Sequence, residues 1–232
     1  MKRLVVLSGA GISAESGLRT FRDANGLWEN HDIMEVASIE GWRKNPGLVL
    51  EFYNQRRAQL ASVHPNEAHI ALKHLESHYE VQIITQNVDN LHERAGSSAV
   101  LHLHGELAKA CSSADKKIVY EIGTRPIELG EVCELGSQLR PFIVWFGEEV
   151  PNMRQAIQLV EQAEILLIIG TSMLVYPAAG LVDYLPANCR LYVIDKSIPS
   201  KVSSRKKVTF IEKPATKGVP EVVTQLLDEA IA

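Results

Sequence analysis

The sequence predicts an α/β protein: a Rossmann-like, doubly wound parallel sheet with a smaller lobe made of two insertions. Three observations predict it. Short, mostly apolar runs recur at residues 4–7, 81–84, 165–169 and 191–194, and such runs read as strands buried on both faces of a parallel sheet. Each is followed by small or polar residues and then by sequence of helical spacing, the alternation that builds α/β folds. Two stretches, near 30–65 and 108–140, interrupt that alternation.

The first run leads into Gly9-Ala10-Gly11, and residues 1–30 open the Rossmann-like domain. Residues 31–65 contain no strand-like run; Val49, Phe52, Arg56 and Leu60 fall at helical spacing, so a helical insertion is expected. Residues 66–107 return to the sheet pattern, with the run at 81–84 leading into Thr85-Gln86-Asn87. Residues 108–140 hold Cys111, Cys133 and scattered glycines with little periodicity, and form the second insertion. Residues 141–232 complete the sheet domain, with Gly170-Thr171-Ser172 after one run and Asp195 after the next. Pro220 is placed at the start of a last helix over 220–231, with Val222, Val223, Leu226, Leu227 and Ile231 as its apolar face.

Composition narrows the function. With 232 residues and a formal net charge of -4, the chain has no broad electrostatic attraction to nucleic acid. Its densest basic stretch, 201–207, reads as a solvated loop. Three cysteines at wide spacing, Cys111, Cys133 and Cys189, form no disulfide framework and suit a reducing cytoplasm. No apolar run has the length of a signal-peptide core or a membrane span. A cytoplasmic protein, favoured as a monomer, is expected.

Gly9-Ala10-Gly11-Ile12-Ser13-Ala14 matches the G-x-G-x-x-G/A pattern directly after a strand. Glycines there permit a tight turn and close backbone approach to a pyrophosphate. An unliganded tight turn has the same composition. A dehydrogenase would next show a second apolar strand ending in an acid about twenty residues on, yet the region around 20–28 is no strand. A dinucleotide, if bound, is bound in another way.

Four blocks in order carry a resemblance: Gly9 through Gly17 with Phe21-Arg22, then Thr85-Gln86-Asn87-Val88-Asp89, then His102-Leu103-His104-Gly105, then Gly170-Thr171-Ser172. Val144-Trp145-Phe146-Gly147-Glu148 lies between the last two. The chain resembles the sirtuins, NAD-dependent protein deacylases, and is most similar to the bacterial CobB-type subgroup. The resemblance implies NAD as cofactor, acyl-lysine peptides or proteins as partners, and release of nicotinamide and O-acyl-ADP-ribose. It implies that His104 is the general base and that Asn87 assists at the reacting ribose. It assigns Gly9, Ala10, Gly11, Ser13, Phe21, Arg22, Gln86, Asn87 and Asp89 to the cofactor, with Asn87 and Asp89 nearest the carboxamide. Gly170, Thr171, Ser172, Asp195 and Ala215 fall on its adenosine side; Asp195 stands where the family usually has asparagine. Val144, Phe146 and Gly147 are similar to the strand that pairs with the peptide, and Val175, with Tyr176, to the facing segment. The alternative for 144–146 is a plain buried strand. His102 alternates with His104, is expected to point to the opposite face, and is read as structural.

Tyr53 and Arg56 are three apart on an expected helix, so both side chains share one face. A phenol and a guanidinium aimed into a tunnel bind a terminal carboxylate; a surface arginine beside a half-buried tyrosine has the same spacing. The same pair marks the sirtuin subgroup that removes malonyl and succinyl groups, and Ala37 matches the small residue that widens its pocket. Sirtuins usually hold a structural zinc with two cysteine pairs. Here Cys111 and Cys133 are what remain of those pairs, and two thiolates do not complete a closed tetrahedral set, so no metal is expected. Two other functions share the cofactor pocket: a mono-ADP-ribosyltransferase and a non-catalytic NAD- or peptide-binding sensor.

Overall fold

The structure is a computed structural model that describes residues 1–18, 27–28, 31–197 and 208–231. Its elements run β1 (Lys2–Ser8), β2 (Leu27–Trp28), β3 (His31–Asp32), α1 (Ile33–Val36), α2 (Ile39–Lys44), α3 (Pro46–Gln59), α4 (Glu67–His74) and β4 (Tyr79–Thr85). They continue with α5 (Leu91–Arg94), β5 (Val100–His102), β6 (Gly105–Ser112), β7 (Val119–Glu121), β8 (Leu139–Ile143), α6 (Met153–Glu161), β9 (Ile165–Ile169), β10 (Arg190–Ile194), β11 (Val208–Ile211) and α7 (Ala215–Ile231).

Six strands form one parallel sheet in the order β11-β10-β9-β1-β4-β5. Alternate side chains of β1 feed two cores. Leu4 and Val6 pack with Leu72, Val219 and Leu226 from α4 and α7; Val5 and Leu7 pack with Ala156 and Val160 of α6 and Leu181 and Val182 of a 3-10 turn. Both sheet faces are thus covered, which is why the strands read as unbroken apolar runs. The fold is the expected doubly wound α/β architecture. Its order reverses at β1, between β9 and β4, and such a switch point opens a crevice at the strands' carboxyl ends.

The register aligns those ends. Ser8 pairs with Thr85 on one side and Ile169 on the other; Thr85 pairs with His102, and Ile169 with Ile194. Motifs spread over more than 90 residues therefore leave the sheet in one row.

A second, three-stranded antiparallel sheet has the order β7-β6-β8. The sequence showed no strands here because Glu106 and Lys109 interrupt the apolar residues of β6, Arg140 and Pro141 interrupt those of β8, and β7 is three residues long. This sheet spans Gly105 to Ile143 and so reaches beyond the expected insertion 108–140 at both ends. Helices α1 to α3 pack through Val36, Val49, Phe52 and Tyr53 against Leu107, Ile143 and Trp145. The insertion expected to hold no strand contains β3, whose two residues pair antiparallel with the two of β2.

Three further differences have simple causes. The last helix starts at Ala215, five residues before Pro220, which lies inside it. Thr216 donates its N–H and hydroxyl to Glu15 Oε2 at 3.2 and 2.8 Å, and burial of Ala215 and Val219 fixes the early turns. β5 is three residues long, and β11 lies at the sheet edge with Val208, Phe210 and Ile211 only half buried, so neither stood out as an apolar run. Residues 144–146 are not a regular strand: they follow β8, and Phe146 forms a single parallel bridge with Ser38.

Candidate active site

Two loops close against each other at the switch point. Gly9 N–H donates to Ile169 O at 2.9 Å, and Gly11 N–H to Gly170 O at 2.8 Å. A Cβ on Gly11 would stand 2.6 Å from Gly170 Cα, and Gly170 itself has φ +59°. Both positions therefore demand glycine, and bare backbone lines the cleft. The N-cap residue of α4, Asn66, ties the loop down from behind: its Nδ2 donates to Ile12 O at 2.8 Å and Ser16 Oγ at 3.0 Å.

The turn after β4 carries the polar groups. Asn87 Nδ2 donates to Ser13 Oγ at 3.1 Å, and Ser13 Oγ donates to Asp89 Oδ2 at 3.0 Å. Burial pushes the Asp89 carboxyl up, although the Leu91 N–H and the Ser13 hydroxyl favour its ionised form. Gln86 Nε2 donates to Thr171 Oγ1 at 3.1 Å and so bridges the β4 and β9 loops. Asp195 Oδ1 accepts the Ser197 N–H at 3.0 Å in the turn after β10.

His104 sits between β5 and β6. Its Nδ1 is 3.0 Å from Gln86 O. A carbonyl only accepts, so Nδ1 carries the proton and neutral His104 leaves Nε2 as an unprotonated base. Burial lowers its pKa more than the Gln86 bond raises it, so the ring is neutral near pH 7. His102 lies apart from the cleft lining, with Nδ1 2.9 Å from Asn87 O and Nε2 2.7 Å from Glu93 Oε1. The two rings do diverge, but alternation was the wrong reason: residues two apart on a strand share a face. They part because β5 ends at His102 and the chain bends through Leu103 and His104.

Tyr53 and Arg56 of α3 enter the same cleft beside Ala37. Trp145 Nε1–H donates to Tyr53 Oη at 3.1 Å. The Arg140 guanidinium carbon lies 3.4 Å from the centre of a Trp145 ring. Arg140 also grips Glu148 with both terminal nitrogens, at 2.8 and 3.2 Å, and Lys116 reaches Glu148 at 2.6 Å. Sequence reasoning placed Trp145 and Glu148 only within the block 144–148, without a role beside Tyr53, and did not single out Arg140; no local pattern ties residue 53 to 145.

One cleft of about 500 Å³ gathers the described candidate residues, a volume ordinary for a small-molecule site. It is lined by Gly9, Ala10, Gly11, Ser13, Gln86, Asn87, Asp89, Gly170, Thr171, Ser172, Val175, Asp195 and Ala215 from segments that follow strands of the six-stranded sheet, and by Ala37, Tyr53, Arg56, Val144, Phe146 and Gly147 from the helical insertion and the segment after β8, together with His104. Leu107, Lys196 and Pro214 line it as well and were not foreseen. Phe21 and Arg22 lie outside the described residues, as does the basic stretch 201–207. Cys111, Cys133 and Cys189 are buried and not joined in disulfides, and among the described residues no group of three or more His, Cys, Asp or Glu could hold a metal ion.

The Sir2 family model matches residues 9–177. The chain belongs to the Sir2 family. A relative from Helicobacter pylori (strain ATCC 700392 / 26695), named NAD-dependent protein deacylase, is 55% identical over 99% of this chain and 100% of its own length. One of the same name from Bacteroides thetaiotaomicron is 50% identical over 98% and 99%. Among solved structures, a Sir2 homologue in complex with NAD superposes with a TM-score of 0.89 at 34% identity, covering 99% of this chain and 91% of that one. A Sir2 protein bound to acetylated peptide superposes at 0.79 and 27% identity, covering 98% and 92%. The switch-point loops and the His104 turn all fall within the stretch that the Sir2 model matches.

Proposed function

We propose that this chain is an NAD-dependent protein-lysine deacylase that accepts acetyl and dicarboxylic acyl groups, with His104 as general base. One observation carries the reading: Nδ1 of His104 is fixed on Gln86 O, leaving a basic Nε2 on a ring that shares one cleft with both candidate residue sets. Full-length similarity to two relatives named NAD-dependent protein deacylase supports the activity.

The donor set fits NAD. Hydroxyls of Ser13, Thr171 and Ser172, amides of Gln86 and Asn87, and carboxylates of Asp89 and Asp195 match the donors and acceptors of riboses and a carboxamide. Bare backbone at Gly9, Ala10, Gly11 and Gly170 suits phosphates. When bound, NAD would supply an activated ribose carbon and a ribose hydroxyl, and acyl-lysine, NAD and one water would give free lysine, nicotinamide and O-acyl-ADP-ribose. Asn87 and Asp89 orient the carboxamide, while Thr171, Ser172, Asp195 and Ala215 hold the adenosine end. Phe21 and Arg22 are assigned to the cofactor by resemblance alone. His104 removes the proton of the hydroxyl presented to it. Val144, Phe146 and Gly147 on one side, and Val175 on the other, flank an extended peptide whose main chain supplies most of the affinity. Ala37 leaves room in the acyl pocket, where Tyr53 and Arg56 meet a terminal carboxylate. Three cysteines without a disulfide suit a cytoplasmic setting.

The test is turnover of acetyl and succinyl versions of one peptide with NAD, scored for nicotinamide and O-acyl-ADP-ribose. Arg56→Met is expected to lower desuccinylation about tenfold or more beyond its effect on deacetylation, the size of a lost charge-assisted contact. Equal losses remove the pocket assignment. Self-modification without acyl loss points instead to an ADP-ribosyltransferase.

A further inference from the structure

We propose that His102, paired with Glu93, is a positioning residue for the carboxamide side of the cleft: a buried imidazolium that holds the Asn87 carbonyl and thereby aims the 86–89 turn. The inference rests on the deacylase reading and adds to it a residue that touches neither substrate.

Two histidines clamp two successive carbonyls of the same turn. His104 Nδ1 meets Gln86 O at 3.0 Å and His102 Nδ1 meets Asn87 O at 2.9 Å. They differ at the other nitrogen. His104 lines the cleft, whereas His102 Nε2 lies 2.7 Å from Glu93 Oε1. Both partners of His102 are acceptors, a carbonyl and a carboxylate, so both ring nitrogens must donate and the ring is a cation. Burial opposes that charge, but the hydrogen bond and charge of Glu93, then the Asn87 carbonyl, outweigh it and raise the pKa of His102.

The cation is built in from several sides. The His102 carbonyl accepts from Asn152 Nδ2 at 2.8 Å, and its backbone is in register with Thr85 at the start of the turn. Besides Glu93, the charged or titratable groups near the ring are Asp89, Glu106 and His92, with Lys109 beside Glu93. The Asn87 backbone is held between the His102 ring at its carbonyl and Thr85 Oγ1 at its N–H, 3.1 Å away. With both ends fixed, the side chain reaches Ser13 and, through it, Asp89. A residue outside the cleft thus sets the two groups that would read the carboxamide.

The experiment measures binding of NAD and of free nicotinamide by calorimetry, with steady-state KM values for NAD and peptide, in Glu93→Gln and His102→Gln across pH 6 to 8.5. Deprotonation removes the Nε2 proton and sets its lone pair against the Glu93 carboxylate, which pushes the ring from its place on Asn87 O, so affinity falls as pH rises through the pKa. Loss of the Glu93 charge moves that fall to lower pH. At pH 8, Glu93→Gln is expected to weaken NAD and nicotinamide by about three- to tenfold, the worth of one buried hydrogen bond. At pH 6 the expected effect is at most twofold, with peptide KM within twofold throughout. Equal rises in NAD and peptide KM, or a change that ignores pH, overturn the proposal. If His102→Gln does not fold, Glu93→Gln carries the test, because Glu93 is 40% exposed. A parent protein that binds NAD but removes no acyl group refutes the deacylase reading while the binding data still judge His102.

Discussion

His104 is neutral at pH 7 because burial lowers its pKa further than the hydrogen bond from Nδ1 to Gln86 O raises it. Its lowered pKa sets the acid limb of the pH profile. A base works unprotonated, so kcat/KM should rise with pH through an apparent pKa below the ordinary histidine value of about 6.5 and level off by neutrality. His104→Ala should cost about 10² to 10⁴ in kcat/KM while NAD binding persists; deacylation at the parent rate would remove the general-base assignment. Much of this site was legible in the sequence because its polar residues follow apolar runs, and strand register brings such turns together. Trp145 was hidden for the opposite reason. Its role depends on a hydrogen bond to Tyr53 across 92 residues, which no spacing rule encodes. His102 was legible as structural, but not its charge, since that depends on Glu93 meeting it from another element.

Among elements, the short chain from Lys116 through Glu148 and Arg140 to Trp145 joins the small sheet to the part of the cleft around Tyr53 and Arg56. Arg140 is 2% exposed and Glu148 6%, so neither charge can be left alone cheaply. Arg140→Met should destabilise the protein by about 3–5 kcal/mol in urea unfolding, because it strands the Glu148 carboxylate in a dry site. A loss below about 1 kcal/mol would show that Lys116 alone suffices. Trp145→Phe keeps the ring and removes the N–H that meets Tyr53. It should therefore reduce desuccinylation more than deacetylation, by a few-fold. The small sheet is held by packing of Leu50, Ala110, Ile127 and Leu139 beside Cys133, residues too scattered along the chain to announce a core. Chelator treatment should accordingly leave Tm unchanged, and stoichiometric zinc in purified protein would overturn that expectation.

At the scale of the whole molecule, the sheet that positions the cleft also sets its acid sensitivity. His69 of α4 and His92 of α5 are buried behind the ends of β1 and β4, with ring centres 5.0 Å apart. His92 Nε2 lies 2.9 Å from Ser8 Oγ, whose hydroxyl donates to Thr85 Oγ1; His92 must therefore donate from Nε2, and it is held neutral. Burial lowers His69 from 6.5 to about 4 and drives His92 well below 6.5, helped by the neighbouring histidines. The unfolded chain binds protons near pH 6.5 and the folded one does not, so stability is complete above that pH and falls as pH drops toward 4. His69 alone should remove about 2 kcal/mol between pH 7 and 4.5, at 1.36 kcal/mol per unit below its unfolded pKa. The urea midpoint should fall steeply over this window in the parent and less steeply in His69→Gln. Parallel slopes would show that the histidine pair carries no such linkage, and that acid loss comes from carboxylates such as Glu148 and Glu229, whose folded pKa values are lowered. Because Ser8 and Thr85 end the strands that carry the cofactor loops, protonating this pair should loosen the cleft first. NAD affinity should then weaken at a higher pH than global unfolding begins, an order that binding and unfolding titrations on one sample can check.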